Sequence, residues 1–150
     1  MWSEPGTTPL PCRSSWQRVS IKTAPSPAWI DAFCTYSPVR PEHRDTMRRM
    51  LAAIAAPAGF AFVEEAGQPM AMAIGAVEGD HMGLFDVLVM PHARRRGLAR
   101  KVTESLYAWA WSHGARFAYL QVVATNEAAM PLYAAQGFRT AYDYEYFVAP

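Results

Sequence analysis

The chain has 150 residues, 51 % of them hydrophobic, and a formal charge of +1. That length fits one domain with a sizeable core, and the near-neutral balance excludes a nucleic-acid binder working through overall charge while leaving room for a local basic patch. Cys12 and Cys34 stand in no C-x-x-C or Cys/His spacing, so free thiols in a reducing compartment and no metal site are expected.

The start, MWSEPGTTPLPCRSS, has no basic region followed by an apolar run. Nowhere do about eighteen apolar residues run together, so neither a secretory signal nor a membrane span is expected, and the default location is cytoplasmic. Pro5, Pro9 and Pro11 among Ser, Thr and Gly mark residues 1–15 as a disordered tail, which leaves residues 16–150 as a single domain. Trp16 to Thr23 alternates as a first strand until Pro25 and Pro27 break it, and a short helix follows from Ala28 to Tyr36. Past Pro38 and Pro41, a second helix begins near Glu42 with Met47, Met50, Leu51 and Ile54 on one face, and Pro57 and Gly59 end it.

Gly59 to Glu65 and Pro69 to Glu78 read as two strands joined by the hairpin signal Ala66-Gly67-Gln68. The second sets Met70, Met72 and Ile74 on one face and the small Ala71, Ala73 and Gly75 on the other, which predicts close approach by a helix. A turn at Gly79-Asp80 leads to a third strand, His81 to Val89, and then to a helix reaching about His113 with Leu98, Val102, Leu106 and Trp109 inward. Phe117 to Ala124 is a further strand. Asn126 then caps a helix running to about Gln136, with Gly137 as its left-handed stop. Arg139 to Val148 closes the pattern as a strand with Tyr142, Tyr144 and Tyr146 on one face. The order β-α-α-β-β-β-α-β-α-β predicts an α/β (α+β) fold with one mixed sheet flanked by helices.

The segment MPHARRRGLAR, residues 90–100, carries the most chemistry. A strand ends at a proline and reopens through Arg94-x-x-Gly97-x-Ala99 onto a helix, so small residues let backbone N–H groups approach an anion at the helix's positive end. Arg94, Arg95, Arg96, Arg100 and Lys101 crowd that turn, read as having no acid nearby, a setting suited to a diphosphate. One helix and one strand later comes Asn126-x-x-Ala129-x-x-Leu132-Tyr133-x-x-x-Gly137-Phe138.

Together the two segments resemble the cofactor motifs of the GNAT acyltransferase superfamily, whose members move an acetyl group from acetyl-CoA to an amine. RRRGLA stands for its R/Q-x-x-G-x-G/A pyrophosphate loop and NEAAMPLYAAQGF for its N-x-x-A-x-x-L-Y-x-x-x-G-F segment. The likeness is dense from about Gly59 to Phe138. It implies a GNAT-like acyl-CoA N-acyltransferase fold, acetyl-CoA as acyl donor with no metal, and direct transfer to a small-molecule or peptide amine. It also implies that the main chain of Val87, Leu88 and Val89 holds the pantetheine arm and stabilises the oxyanion. Arg94, Arg95, Arg96, Gly97, Leu98 and Ala99 would hold the diphosphate, with Asn126 touching the cofactor while capping its helix. Tyr133 would protonate the departing thiolate, since a phenol with a pKa near ~10 stays protonated at neutral pH. Asp86 is the best-placed carboxylate to deprotonate the amine, although strict alternation puts it opposite Val87, so it reaches the site only if its face borders the acceptor cleft or a bulge re-aims it.

The order departs from the family's after the sixth strand, where relatives usually add a seventh. A truncated edge, a merged strand or a strand from a partner would each account for that, and an open edge would favour a homodimer. The chain could also be the carboxyl-terminal part of a longer two-domain acyltransferase. Two rival readings stand beside the enzyme: a non-catalytic acyl-CoA-binding regulatory module, and a small nucleic-acid binder using residues 94–101, whose affinity would fall steeply with salt.

Overall fold

The computed structural model describes residues 8–10 and 19–147. In chain order the elements are β1 (Thr8–Pro9), β2 (Ser20–Lys22), α1 (Pro27–Tyr36), α2 (Arg44–Ala52), β3 (Ala58–Glu65), β4 (Gln68–Glu78), β5 (His81–Val89), α3 (Leu98–Ser112), β6 (Phe117–Leu120) and α4 (Ala129–Ala135). The strands form a six-stranded sheet in the order β1-β6-β5-β4-β3-β2, with β5 and β6 parallel and every other pair antiparallel. The expected mixed sheet with flanking helices is therefore present.

Alternation in β3 and β4 sorts the two faces. Phe60, Phe62, Met70, Met72 and Ile74 pack with Trp29 and Phe33 of α1 and Leu51 of α2. Trp29 stacks on Phe33 with ring centroids 5.3 Å apart, meets Phe60 edge to face, and donates its indole N–H to the Ala61 carbonyl at 3.1 Å. Its buried polar atom is thereby satisfied, as a buried tryptophan requires. On the other face Ala61, Ala73 and Val77 meet Val102, Leu106 and Ala110 of α3. The small residues do what their pattern predicts: a Cβ added at Gly75 would lie 3.3 Å from Leu106, and one at Gly59 would lie 2.9 Å from the Trp109 ring. Two-residue turns close the hairpins, with Ala66 at φ 50 and Gly67 at φ 75 between the paired Glu65 and Gln68.

Several boundaries differ from the sequence reading. Residues 8–10, assigned to the tail, run along β6: Thr8 and Leu10 are buried, and the Leu10 N–H donates to the Arg116 carbonyl at 2.8 Å. Proline is accepted in β1 because it is an edge strand, where one side of the ladder is unused. Of the first predicted strand, Ser20–Lys22 pairs with β3 and residues 16–18 lie outside the described residues. A 3₁₀ turn at Pro41–His43 delays α2 to Arg44, and Met50, expected to face inward, is 61 % exposed while Leu51 is buried. β6 stops at Leu120 instead of Ala124, and α4 starts at Ala129.

The largest correction concerns the carboxyl-terminal strand. Residues 139–147 form no ladder, and Tyr142, Tyr144, Tyr146 and Phe147 are exposed; Val148 lies outside the described residues. An alternating pattern makes a segment competent for a strand, but only a partner's hydrogen bonds make it one. Here the free side of β6 is taken by β1. Cys34 is a buried free thiol, and Cys12 lies outside the described residues. Among the described residues no helix is long and apolar enough to cross a membrane.

Candidate cofactor and catalytic site

β5 and β6 run side by side only from His81 to Leu84, in register with Phe117 to Leu120. β5 continues to Val89 while β6 ends. Beyond Leu84 the backbone of β5 is bonded to β4 on one side, through Met72 opposite Leu88 and Ala71 opposite Val89, and has no strand on the other among the described residues. The main chain of Val87, Leu88 and Val89 thus borders an open edge. Such an edge can accept an extended, amide-bearing chain as an added strand would be accepted.

Asp86 sits where that edge begins. The register between β4 and β5 slips there, so that Asp86 and Val87 together oppose Ala73, and Asp86 takes φ 51. Of the two ways for Asp86 to reach the site, a bordering cleft or a bulge, a bulge is present at this position. Aspartate tolerates the left-handed region better than most side chains, and the strain it carries sits at the opening of the cleft. Asp86 keeps contact with solvent, yet burial on its protein side raises the carboxyl's pKa above its ordinary value of 3.8. Beside it the half-exposed rings of Phe85 and Tyr119 meet edge to face at 6.3 Å. They close over Gly83, where a Cβ would lie 2.6 Å from the Phe85 ring and 2.8 Å from the Tyr119 hydroxyl.

β5 leads through Met90, which is fully buried, and a 3₁₀ turn at Pro91–Ala93 into the basic loop. Arg95 at φ 63 and Gly97 at φ 71 both adopt left-handed conformations, and Gly97 is the N-cap of α3. No side chain caps that end and its first turn holds no acid, so the leading N–H groups of α3, from Leu98 and Ala99 onward, keep their capacity for an outside anion. A Cβ at Gly97 would meet nothing within 4 Å, so conformation, not crowding, dictates glycine there.

The arginines do not all remain available. Arg96 donates from Nη2 to both carboxylate oxygens of Glu65, at 2.8 and 3.0 Å, and Arg100 donates from Nε to Glu104 at 2.8 Å. The reading that no acid lies near this turn is therefore corrected. Glu104, four residues beyond Arg100, was legible as a helical pair, whereas Glu65 comes from the β3–β4 hairpin. Arg94, Arg95 and Lys101 carry no ion pair among the described residues.

Asn126 does not cap the helix in the simple sense. Its side-chain oxygen accepts from the Ala129 N–H at 3.1 Å and its carbonyl accepts from Met130 at 3.1 Å, which nucleates a turn leading into α4. At the other end the expected stop is built in full. Gly137 at φ 94 donates to the Ala134 carbonyl and Phe138 donates to the Tyr133 carbonyl, each at 3.0 Å, and the Phe138 ring meets the Tyr133 ring edge to face at 5.9 Å. Tyr133 is half-buried, and burial raises its phenol above the ordinary pKa, so it holds its proton at neutral pH. What sequence reading missed is the side-chain ladder Tyr107, Gln136 and Thr103 that ties α4 to α3.

Residues 25–138 match the family described as Acetyltransferase (GNAT) family. The chain is 27 % identical over 122 residues to the uncharacterized N-acetyltransferase YobR of Bacillus subtilis, covering 81 % of this chain and 49 % of that protein. It is 37 % identical over 75 residues to the ribosomal protein bS18-alanine N-acetyltransferase of Escherichia coli K12, covering 50 % of this chain and 51 % of the relative. The chain thus spans about half the length of the curated relatives it matches. Among solved structures, the Escherichia coli ribosomal-protein-S18-alanine N-acetyltransferase superposes with a TM-score of 0.66 at 25 % identity, over 83 % of this chain and 80 % of that one. The aminoglycoside N-acetyltransferase AAC(6')-Iy, held with a CoA-linked bisubstrate analog, gives a TM-score of 0.70 at 14 % identity over 89 % and 99 %, a likeness of fold.

Proposed function

Because the chain belongs to the GNAT acetyltransferase family, we propose that it transfers the acetyl group of acetyl-CoA directly to a primary amine. The observation that carries this reading is the meeting of the open Val87–Val89 edge with the uncapped N-terminus of α3 at Gly97. A pantetheine arm carries amides that can pair along the edge, and its diphosphate would fall on the N–H groups from Arg95 to Ala99. Arg94, Arg95 and Lys101 would supply charge. Arg96 would add its charge where the pair with Glu65 opens, and Asn126 would contribute through the turn that launches α4.

In this reading the amine approaches over the Phe85 and Tyr119 rings, Asp86 takes its proton directly or through water, and nitrogen attacks the thioester carbonyl. A β5 N–H stabilises the oxyanion, and Tyr133 gives its proton to the sulfur as the C–S bond breaks. The raised pKa of Asp86 suits a base that must accept a proton, and the raised pKa of Tyr133 keeps the acid loaded. Neither step needs a covalent enzyme intermediate, a point on which the burial of Cys34 bears favourably. The nucleic-acid alternative is weakened by the internal pairing of Arg96 and Arg100, which leaves Arg94, Arg95 and Lys101 to offer phosphates.

Isothermal titration with acetyl-CoA and with CoA, on the parent and on Gly97→Asp, tests the cofactor half. Binding by the parent and its loss in the variant are expected, because a carboxylate at the N-cap would take the α3 amides and repel a diphosphate. Absence of heat from the folded parent at high micromolar ligand would defeat the reading. Binding without turnover across an amine screen would leave a regulatory acyl-CoA module.

A further inference from the structure

A chain of side-chain hydrogen bonds joins the two motif segments at positions neither motif specifies. Tyr107, 2 % exposed, donates its hydroxyl to Gln136 Oε1 at 2.8 Å. Gln136 Nε2 donates to Thr103 Oγ1 at 2.8 Å, and that hydroxyl lies 2.9 Å from the Ala99 carbonyl and 3.0 Å from the Arg100 carbonyl. The direction of the chain is fixed by its last link. A main-chain carbonyl can only accept, so Thr103 must give its single proton there and accept from the amide nitrogen, which leaves the amide oxygen for Tyr107. Thr103 and Tyr107 are buried and Gln136 between them is half-buried, so the chain is largely shielded from water.

The helix at the far end of this chain needs outside support. α4 has seven residues and none is buried, and a helix that short does not persist by itself. Its ties gather at its carboxyl end: the Gly137 stop, the Phe138 ring against Tyr133, the Thr8 hydroxyl on the Gly137 carbonyl at 3.1 Å, and Gln136. Gln136 lies three residues past Tyr133, and its own N–H donates to the Tyr133 carbonyl at 3.1 Å. At its other end the ladder reaches Ala99, which closes the Arg94-x-x-Gly97-x-Ala99 loop.

We propose that Gln136 is a positioning residue whose amide, clasped between Tyr107 and Thr103, sets α4 against the first turns of α3 and so holds the Tyr133 hydroxyl in place over a cofactor seated on the α3 N-terminus. The proposal rests on the reading of Tyr133 as the proton donor and deepens it. Seating of the diphosphate and placement of the acid become one geometric event, because both are referred to the same turn of α3. Gln136→Leu keeps the bulk and removes both links. Tyr107→Phe removes one and leaves the Gln136–Thr103 link.

The test uses the full chain with 3-fluorotyrosine at position 133, read by fluorine NMR, beside steady-state kinetics in parent and Tyr133→Phe backgrounds. Gln136→Leu is expected to shift or split the fluorine resonance and to lower kcat by about 10- to 100-fold, the cost of a displacement near 1 Å, while KM for acetyl-CoA changes little. In the Tyr133→Phe background the same substitution should add almost nothing, since the two act through one group. An unchanged resonance and kcat in folded Gln136→Leu would overturn the proposal, as would an equal loss in both backgrounds. Should Tyr133→Phe retain parent activity, the proton-donor reading fails, and the fluorine signal still decides whether Gln136 places the ring. If Gln136→Leu does not fold, Tyr107→Phe carries the same readouts, with a smaller shift expected and none overturning the clasp.

Discussion

Arg96 and Glu65 lie 31 positions apart in sequence, yet the guanidinium donates from a single nitrogen to both carboxylate oxygens at 2.8 and 3.0 Å. The pair bolts the basic loop to the tip of the β3–β4 hairpin and removes one cation from the set facing a diphosphate. Both side chains are about half exposed, so the link should contribute no more than ~1 kcal/mol to stability. Glu65→Ala is therefore expected to move the melting temperature very little, to tighten acetyl-CoA at low salt by a few-fold through the freed guanidinium, and to steepen the loss of affinity with added salt. Titrations at two ionic strengths check this; weaker binding at both would mean that Glu65 serves by holding the loop, and that the freed charge does not matter.

Arg95 stands in a left-handed conformation that costs a non-glycine residue roughly 1–2 kcal/mol. Arg95→Gly should relieve that strain and raise the melting temperature, while acetyl-CoA binds more weakly for loss of a cation. Gly97→Ala should do the reverse: at φ 71 it introduces the same strain although a Cβ has open space. A denaturation midpoint for each variant, beside its acetyl-CoA affinity, separates the contribution of conformation from that of charge. No gain in stability for Arg95→Gly would show that the surrounding loop already absorbs the strain.

How much of this arrangement could be read from the sequence depended on whether its cause was local. The hairpin at Ala66-Gly67, the inward face of α3 and the Gly137 stop all follow from short-range rules of periodicity and backbone conformation. A bulge at Asp86 was legible only as one of two alternatives, because strict alternation puts that side chain opposite Val87 and a cleft on its own face would have served as well. Residues 139–147 failed for the opposite reason. Their alternation of aromatic and acidic residues is a local property, whereas a strand is a relation, and the outer side of β6 is occupied by Thr8 and Pro9. The Glu65–Arg96 pair and the Tyr107–Gln136–Thr103 ladder are likewise relations between distant segments, and no spacing rule announces them.

Gly83 holds up the surface over which the amine is proposed to arrive. Gly83→Ala would place a methyl group 2.6 Å from the Phe85 ring and 2.8 Å from the Tyr119 hydroxyl, so both rings must move. Both are half-exposed and can move outward, so stability should fall only modestly, by about 1–3 kcal/mol. The kinetic effect should be selective. KM for a productive amine is expected to rise while KM for acetyl-CoA stays near that of the parent, because the open edge of β5 from Val87 onward is untouched. A matching rise in both constants would place the acceptor elsewhere.

Asp86→Asn separates the cost of a buried-side carboxylate from its use. Burial raises the folded-state pKa above the ordinary 3.8, so the folded chain binds this proton more tightly than the unfolded chain does. As pH rises through that window the unfolded chain has already released the proton, unfolding is favoured, and above the raised value the full penalty is present. An amide carries no charge, and asparagine accepts φ 51 as readily as aspartate. The variant should therefore melt higher than the parent at pH 7.5, and the gain should shrink and vanish as the pH is lowered past 3.8. Its acetyl transfer should fall by roughly 10²-fold at neutral pH, and the limb of the rate profile that rises with Asp86 ionisation should be lost. Thermal melts at the two pH values with parallel rate measurements check both halves. A variant that gains stability and keeps full activity would remove Asp86 as the base and leave proton transfer to water at the bulge.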